Sequence, residues 1–230
     1  MSDNYVFVFD TNNCNNPEFN DYFGSSEELK ELSFHAKILF PEIVIKEIHK
    51  HKKAKMDKIQ SDVISSLKTL EDFEGLLDIK ILDSVARDNQ TKIDAAITDF
   101  DIENKIKTLL EKVEFQYEIL WMKMISYQEV LDMAFKQSPP FHKDSPKGFM
   151  DACIFASTMN YIKENADKTV VVVTSDNRLK GAFERSSVKC YGGKWNFKKI
   201  YEEYLFTFPE KEIFQKKKYL FTNPEKGVDI

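Results

Sequence analysis

The stretch YVFVFDTN, from Tyr5 to Asn12, is an apolar run that ends abruptly in a carboxylate, a hydroxyl and an amide. Its leading residues are all β-branched or aromatic, a pattern that predicts a strand buried on both faces. In open α/β folds the ligands bind at the carboxyl ends of such strands. The stretch therefore predicts a central strand and places Asp10 at the edge of the sheet where a ligand would bind.

A second stretch, TVVVVTSDN, repeats this pattern near the other end of the chain. It is an apolar run that ends in Ser175, Asp176 and Asn177. Strands that alternate with helices form parallel sheets with right-handed crossovers, so the carboxyl ends of all the strands share one edge. Asp10 and Asp176 are therefore expected to be neighbours in space.

The rest of the chain alternates between helical and extended patterns. We expect short strands at residues 36–40, 79–84 and 188–190, and helices at residues 27–36, 89–113, 126–135, 149–166 and 196–204. Pro41 suits the first turn of a long helix, which we expect to break near Lys55 and to end at Gly75. Ser126 is the expected cap of its helix, because Glu129 follows three residues later.

These elements predict the fold class and the organisation of the chain. We expect a three-layer α/β/α fold with a central parallel sheet of four or five strands. It would form one domain over residues 1–205, with a mainly helical insert at about residues 52–138 and a C-terminal extension at residues 206–230.

Composition narrows the classes of protein that the chain can belong to. The formal net charge of −5 and the pI near 5.5 argue against a protein that coats nucleic acid over its whole surface, although a local basic patch remains compatible. The three cysteines form no CxxC pair, which indicates reduced thiols and no structural zinc site. No signal segment or membrane-length apolar run is present, so we expect a cytoplasmic protein with no membrane partner.

Two further acids could join the strand-end carboxylates. Glu47 lies near the start of the helix after Pro41, and Asp151 lies at the start of the helix after the proline-rich loop. Gathered carboxylates repel one another unless a cation neutralises them, and oxygen ligands suit Mg²⁺ or Mn²⁺. Such a site can activate water for attack on a phosphodiester, so the implied chemistry is metal-assisted phosphoryl hydrolysis.

Four motifs carry these acids: VFVFDTN, PEIVIKEI with Glu47, KGFMDACIF and TSDNRL. Together they resemble the PIN domain nucleases, and the resemblance covers about residues 4–50 and 138–190. The KGFMDA motif resembles a subgroup of long bacterial PIN-like proteins. The resemblance implies that Asp10, Glu47, Asp151 and Asp176 are the metal-binding and catalytic acids of an endoribonuclease that uses Mg²⁺ or Mn²⁺.

The resemblance also implies supporting residues. Asn12 and Ser175 would orient ligands or phosphate, with Thr11 and Asn177 as weaker candidates. The basic residues near the acids could contact nucleic acid, favoured to be RNA: these are Lys50, His51, Lys53, Lys143, Lys147 and Arg178. Toxin and defence roles occur among the relatives, and both a homo-oligomer and an inhibitory partner protein are compatible with the sequence.

Each feature also has a simpler interpretation. Strand-end aspartates commonly cap the next helix, a first-turn Asp151 is stabilised by the helix dipole, and the charged run from Ile48 to Lys58 could be a solvated helix face. At the level of the whole protein, the alternatives are an inactive PIN-like scaffold that binds nucleic acid and a phosphatase of the haloacid dehalogenase type. The phosphatase family usually needs a second acid where this chain has Asn12.

Overall fold

The computed structural model describes residues 5–16, 18–77, 92, 101–122, 125–141 and 147–205. Within them, five strands form one parallel sheet: β1 (Tyr5–Phe9), β2 (Lys37–Pro41), β3 (Glu118–Leu120), β4 (Thr169–Thr174) and β5 (Lys189–Gly192). Their order in the sheet is β3-β2-β1-β4-β5. The expected parallel α/β sheet of four or five strands is confirmed, with five.

Helices connect the strands and give the expected three-layer α/β/α fold. In the described chain they are α1 (Thr11–Cys14), α2 (Ser26–Ser33), α3 (Glu42–Leu77), α4 (Ile102–Glu111), α5 (Tyr127–Phe135), α6 (Phe149–Glu164), α7 (Asn177–Arg185) and α8 (Phe197–Ile200), which continues as a π-helix over Tyr201–Leu205. No helix among the described residues is both long and apolar enough to cross a membrane.

The described chain divides into two compact units. The first, with residues 1–14, 25–43 and 115–230, contains the whole sheet, and the second contains residues 15–24 and 44–114. The expected single domain over residues 1–205 with an insert at about 52–138 stays a prediction, as does the extension at residues 206–230, which lies outside the described residues.

β1 is the central strand, as its sequence predicts. Val6 to Phe9 are each at most 1% exposed, and β1 pairs with β2 on one side and β4 on the other. In the register with β4, Phe9 lies opposite Val173. Since β1 ends at Phe9 and β4 ends one residue after Val173, the residues that follow the two strands emerge at the same edge of the sheet.

Three local expectations are wrong or incomplete. α3 does not break near Lys55 or end at Gly75 but continues to Leu77. A glycine inside a helix costs only about 1 kcal/mol, which a long helix can absorb. Pro41 is the last residue of β2 rather than part of the helix. It pairs with Leu120 of β3, a strand that is too short for its sequence pattern to predict it. The expected strand at residues 79–84 and residues 89–91 and 93–100 of the expected helix lie outside the described residues.

Other helix ends follow the expected local chemistry. The Ser126 hydroxyl accepts a hydrogen bond of 3.4 Å from the backbone N–H of Glu129, as expected for a cap. Asp101 caps α4 in the same way, accepting from the N–H of Asn104 at 2.9 Å. All three cysteines are free.

Candidate active site

The carboxylate of Asp10 is held at the end of β1. The side chain is only 3% exposed, and the backbone N–H continues the strand ladder by donating to the carbonyl of Val173 at 3.0 Å. Oδ2 of Asp10 accepts a hydrogen bond of 2.9 Å from the hydroxyl of Thr174, the last residue of β4. Burying a carboxylate costs free energy unless hydrogen bonds or a cation compensate for the lost hydration. The hydrogen bond from Thr174 provides part of this compensation and fixes the orientation of the Asp10 carboxylate.

The same hydroxyl ties Asp176 to Asp10. Oγ1 of Thr174 also accepts a hydrogen bond of 3.0 Å from the backbone N–H of Asp176. One buried oxygen atom therefore lies about 3 Å from the Asp10 carboxylate and from the Asp176 backbone. The structure brings these two predicted acids to one edge of the sheet.

Asp176 is at the same time the cap of α7. Its Oδ1 accepts hydrogen bonds from the backbone N–H groups of Arg178 at 2.7 Å and Leu179 at 2.8 Å. The helix-capping interpretation of this acid therefore holds. Its Oδ2 receives no hydrogen bond from the described residues, so one oxygen of a rigidly held carboxylate remains available to a ligand.

Asn13, which the sequence does not single out, joins three chain segments at this edge. Its Oδ1 accepts from the N–H of Ser175 at 2.9 Å, and its Nδ2 donates to the carbonyl of Gly193 at 2.9 Å. Its backbone carbonyl accepts from Nε1 of Trp195 at 2.8 Å, and the Trp195 ring packs edge-on against Phe9. The turns after β1, β4 and β5 are thereby fastened together around the two acids.

Asp151 lies in the first turn of α6 and is partly buried. The helix begins after Gly148, whose φ of 110° is a conformation that side chains rarely adopt. A Cβ at this position would come within 2.7 Å of the carbonyl oxygen of Pro140 and 2.8 Å of Cα of Phe141. The glycine of the KGFMDA motif therefore lets the start of α6 lie directly against Pro140 and Phe141.

Glu47 belongs to the second unit, where it is partly exposed on α3. On the same helix Lys50 and His51 are exposed. Lys53 instead pairs with Oε1 of Glu103 at 2.5 Å, and Oε2 of the same carboxylate lies 2.6 Å from Nε2 of His49. These hydrogen bonds, from Lys53 first and then His49, lower the pKa of Glu103.

Lys52 has a different role from its basic neighbours. Its side chain is 2% exposed, and its ammonium donates to the backbone carbonyls of Asn16, Glu18 and Asp21 at 3.1, 2.8 and 2.9 Å. These bonds use all three of its N–H donors. Burial, followed by repulsion from Lys55, lowers its pKa. Lys52 therefore fixes the loop after α1 within the second unit, and no pattern in the basic run distinguishes it from the exposed lysines.

The remaining predicted residues differ in exposure. Thr11 is buried at the start of α1. The others are exposed: Asn12, Lys147, Ser175, Asn177 and Arg178. Lys143 lies outside the described residues.

The donor set at this edge suits a hard divalent cation. Among the described residues no group of three or more His, Cys, Asp or Glu side chains could hold a metal ion. Mg²⁺, however, is usually held by one or two carboxylates together with waters and substrate phosphate oxygens. The buried carboxylate of Asp10 and the available oxygen of Asp176 fit that requirement.

Comparison with known families agrees with this geometry. A family model described as PIN domain matches residues 7–178. The chain belongs to the PIN domain family. PIN domains are typically nucleases that act on nucleic acids and generally use divalent metals, so membership gives this chain a nuclease-type function. No curated protein and no solved structure matches the chain.

Proposed function

We propose that this PIN domain is an endoribonuclease that depends on Mg²⁺ or Mn²⁺ and acts at the carboxyl edge of its sheet. The observation that carries the proposal is the link from Asp10 through the Thr174 hydroxyl to Asp176. It supports the proposal because it places two carboxylates in fixed positions on adjacent strands, where an α/β fold binds its ligand.

Asp10 and Asp176 would be the principal metal ligands. The chemistry that a divalent cation supplies when bound there is charge neutralisation, both of the carboxylates and of the phosphate being cut. Asp10 supplies a buried carboxylate with a fixed orientation. Asp176 supplies Oδ2, the carboxylate oxygen that does not cap α7. Asp151 and Glu47 complete the proposed catalytic set because their motifs resemble the corresponding motifs of PIN nucleases.

The polar residues around these acids would position rather than react. Thr174 orients the Asp10 carboxylate, and Asn13 holds the Ser175 turn that precedes Asp176. Asn12 and Ser175 are exposed at this edge, where their side chains could bind phosphate oxygens. Thr11 and Asn177 are the first residues of α1 and α7 and would have a weaker supporting role in orienting ligands or phosphate.

Exposed basic side chains would supply the attraction for a polyanion that an acidic protein otherwise lacks. Lys50, His51, Lys147 and Arg178 are exposed, and basic side chains contact nucleic-acid phosphates with little sequence preference. Lys53 is a weaker candidate because its ammonium is paired with Glu103. We favour RNA as the substrate, in keeping with the resemblance to PIN ribonucleases.

An RNA cleavage assay tests this proposal. Single-stranded and hairpin RNA are incubated with the parent and with Asp10→Asn, each with Mn²⁺ and with EDTA. The matched control is Asp167→Asn, an aspartate 73% exposed in the turn that precedes β4. Cleavage should require Mn²⁺, persist in Asp167→Asn and disappear in Asp10→Asn. Equal cleavage by Asp10→Asn would contradict the proposal.

A second candidate function is that of an inactive PIN-like scaffold, which binds nucleic acid and does not cleave it. The exposed basic side chains of Lys50, Lys147 and Arg178 favour RNA binding whether or not the acids hold a metal ion. This candidate predicts that the parent binds RNA and leaves it intact at every Mn²⁺ concentration. The same assay therefore separates the two candidates. The phosphatase alternative has no support in the family match.

A further inference from the structure

A cavity of about 820 Å³ opens at the opposite edge of the sheet from Asp10 and Asp176. It is lined by three segments of the first unit: residues 33–38 between α2 and β2, residues 115–118 before β3, and the last part of α6 with the turn that follows. Lys37 and Glu118 are the first residues of their strands, so the cavity lies at the amino edge. Its volume is typical of sites that bind small molecules.

Aromatic side chains form much of the lining. Phe34 is 65% exposed although it is a large apolar residue, and the rings of Phe115 and Tyr117 lie 5.7 Å apart. Tyr161 contributes a further ring from α6. Exposed aromatic faces stack on planar rings, and nucleobases are the commonest biological example.

The charged side chains that line the cavity, as far as the structure describes them, have a net positive charge. Lys37 pairs with Oε2 of Glu118 at 2.8 Å and lies over the Tyr161 ring at 5.5 Å. The described residues of the lining include a second lysine, Lys168, and no carboxylate besides Glu118. Among the described residues, Lys168 pairs with Asp167 at 3.3 Å, and Asp167 is 73% exposed and lies outside the lining. The cavity thus combines planar apolar surface with a cation suited to a phosphate.

Amide groups supply the remaining polar contacts. Asn165 donates through Nδ2 to the carbonyl of Tyr161, and its Oδ1 receives no hydrogen bond from the described residues. Gln116 is exposed at the rim. Amides present both a donor and an acceptor, as the edge of a nucleobase does.

We propose that this cavity binds a free nucleoside monophosphate, with the base against Phe34 and the other rings and the phosphate at Lys168. Glu118, the one carboxylate among the described lining residues, is paired with Lys37. Because no other carboxylate of the described lining could act as a base, the site would bind its ligand without cleaving it. It stands apart from the proposed nuclease chemistry, since none of the acids of the candidate active site lines it.

Calorimetric titration with adenosine 5′-monophosphate tests the assignment. The full chain carrying Asp10→Asn is used in EDTA, so that binding cannot depend on a metal at the candidate active site. Phe34→Ala and Lys168→Gln should each weaken binding about tenfold, the scale of one lost stacking or charge-assisted contact. The matched controls are Phe135→Ala and Lys163→Gln, exposed residues outside the cavity, which should bind like the Asp10→Asn parent.

Adenosine and inorganic phosphate, titrated separately, test the two halves of the ligand, and each should bind more weakly than the monophosphate. Amide chemical shifts in an NMR titration should move for the cavity residues and not for those after β1 and β4. No binding at millimolar nucleotide would overturn the proposal, as would binding that survives both cavity substitutions or shifts confined to the Asp10 edge.

Discussion

The hydroxyl of Thr174 donates a hydrogen bond of 2.9 Å to Oδ2 of Asp10, joining residues 164 positions apart in the sequence. The bond forms because β1 and β4 are adjacent parallel strands, and Thr174 directly follows Val173, the partner of Phe9. It also fixes Asp176, whose N–H donates to the same hydroxyl. The geometry of the candidate active site therefore depends on a side chain that is itself completely buried.

Replacing Thr174 with Val keeps the shape of the side chain and removes the hydroxyl. The Asp10 carboxylate and the Asp176 N–H would each lose a buried partner, which should cost about 1–3 kcal/mol of unfolding free energy. Loss of a group that orients a metal ligand should also lower the Mn²⁺-dependent RNA cleavage rate about 10–100-fold. Urea denaturation and the cleavage assay measure the two effects.

Thr174→Ser is the matched control, because it retains the hydroxyl and loses only a methyl group. It should cleave RNA at nearly the parental rate. If Thr174→Val were as active as Thr174→Ser, the hydroxyl would have no part in positioning Asp10.

Asn13 and Asn12 are adjacent amides with different expected roles. Asn13→Ala removes hydrogen bonds to Ser175 and Gly193, so both stability and cleavage should fall, the latter by about tenfold or more. Asn12 is exposed, so Asn12→Ala should change the unfolding free energy by less than about 0.5 kcal/mol and lower only the cleavage rate. An unchanged urea midpoint for Asn13→Ala would refute the positioning role.

Strong hydrophobic patterns allowed the central part of the fold to be predicted from the sequence. The apolar runs before Asp10 and Asp176 identify β1 and β4, and the rule that parallel strands share a carboxyl edge predicts that the acids meet. β3 was missed because three residues, Glu118 to Leu120, carry no periodicity that distinguishes a strand from a loop. Its pairing with β2 depends on tertiary contacts.

The positioning residues could not be predicted for a related reason. Thr174 and Asn13 act through partners that are distant in the sequence, and a single Thr or Asn in a polar turn is common in any α/β protein. Lys52 lies in a run of basic residues that predicts a solvated face, yet it is buried against three carbonyls. Such roles depend on which backbone groups lie next to the side chain in the folded protein. A local sequence pattern contains no information about those contacts.

Lys52→Met tests the structural role of the buried ammonium. Methionine fills similar space but cannot donate, so the carbonyls of Asn16, Glu18 and Asp21 would lose their common partner. We expect a loss of about 1–3 kcal/mol in the free energy of unfolding, measured by urea denaturation. Lys58→Met, an exposed lysine on the same helix, should change it by less than about 0.5 kcal/mol. Equal effects of the two substitutions would contradict this role.

If the carboxylates after β1 and β4 hold a divalent cation, a calorimetric titration with Mn²⁺ should detect its binding. The titration compares the parent with Asp10→Asn, which keeps the shape of the side chain and discards its charge, and with the control Asp167→Asn. A cation held by Asp10 should bind at least about tenfold more weakly to Asp10→Asn, while Asp167→Asn should bind Mn²⁺ like the parent. Unchanged Mn²⁺ affinity in a folded Asp10→Asn protein would contradict this prediction.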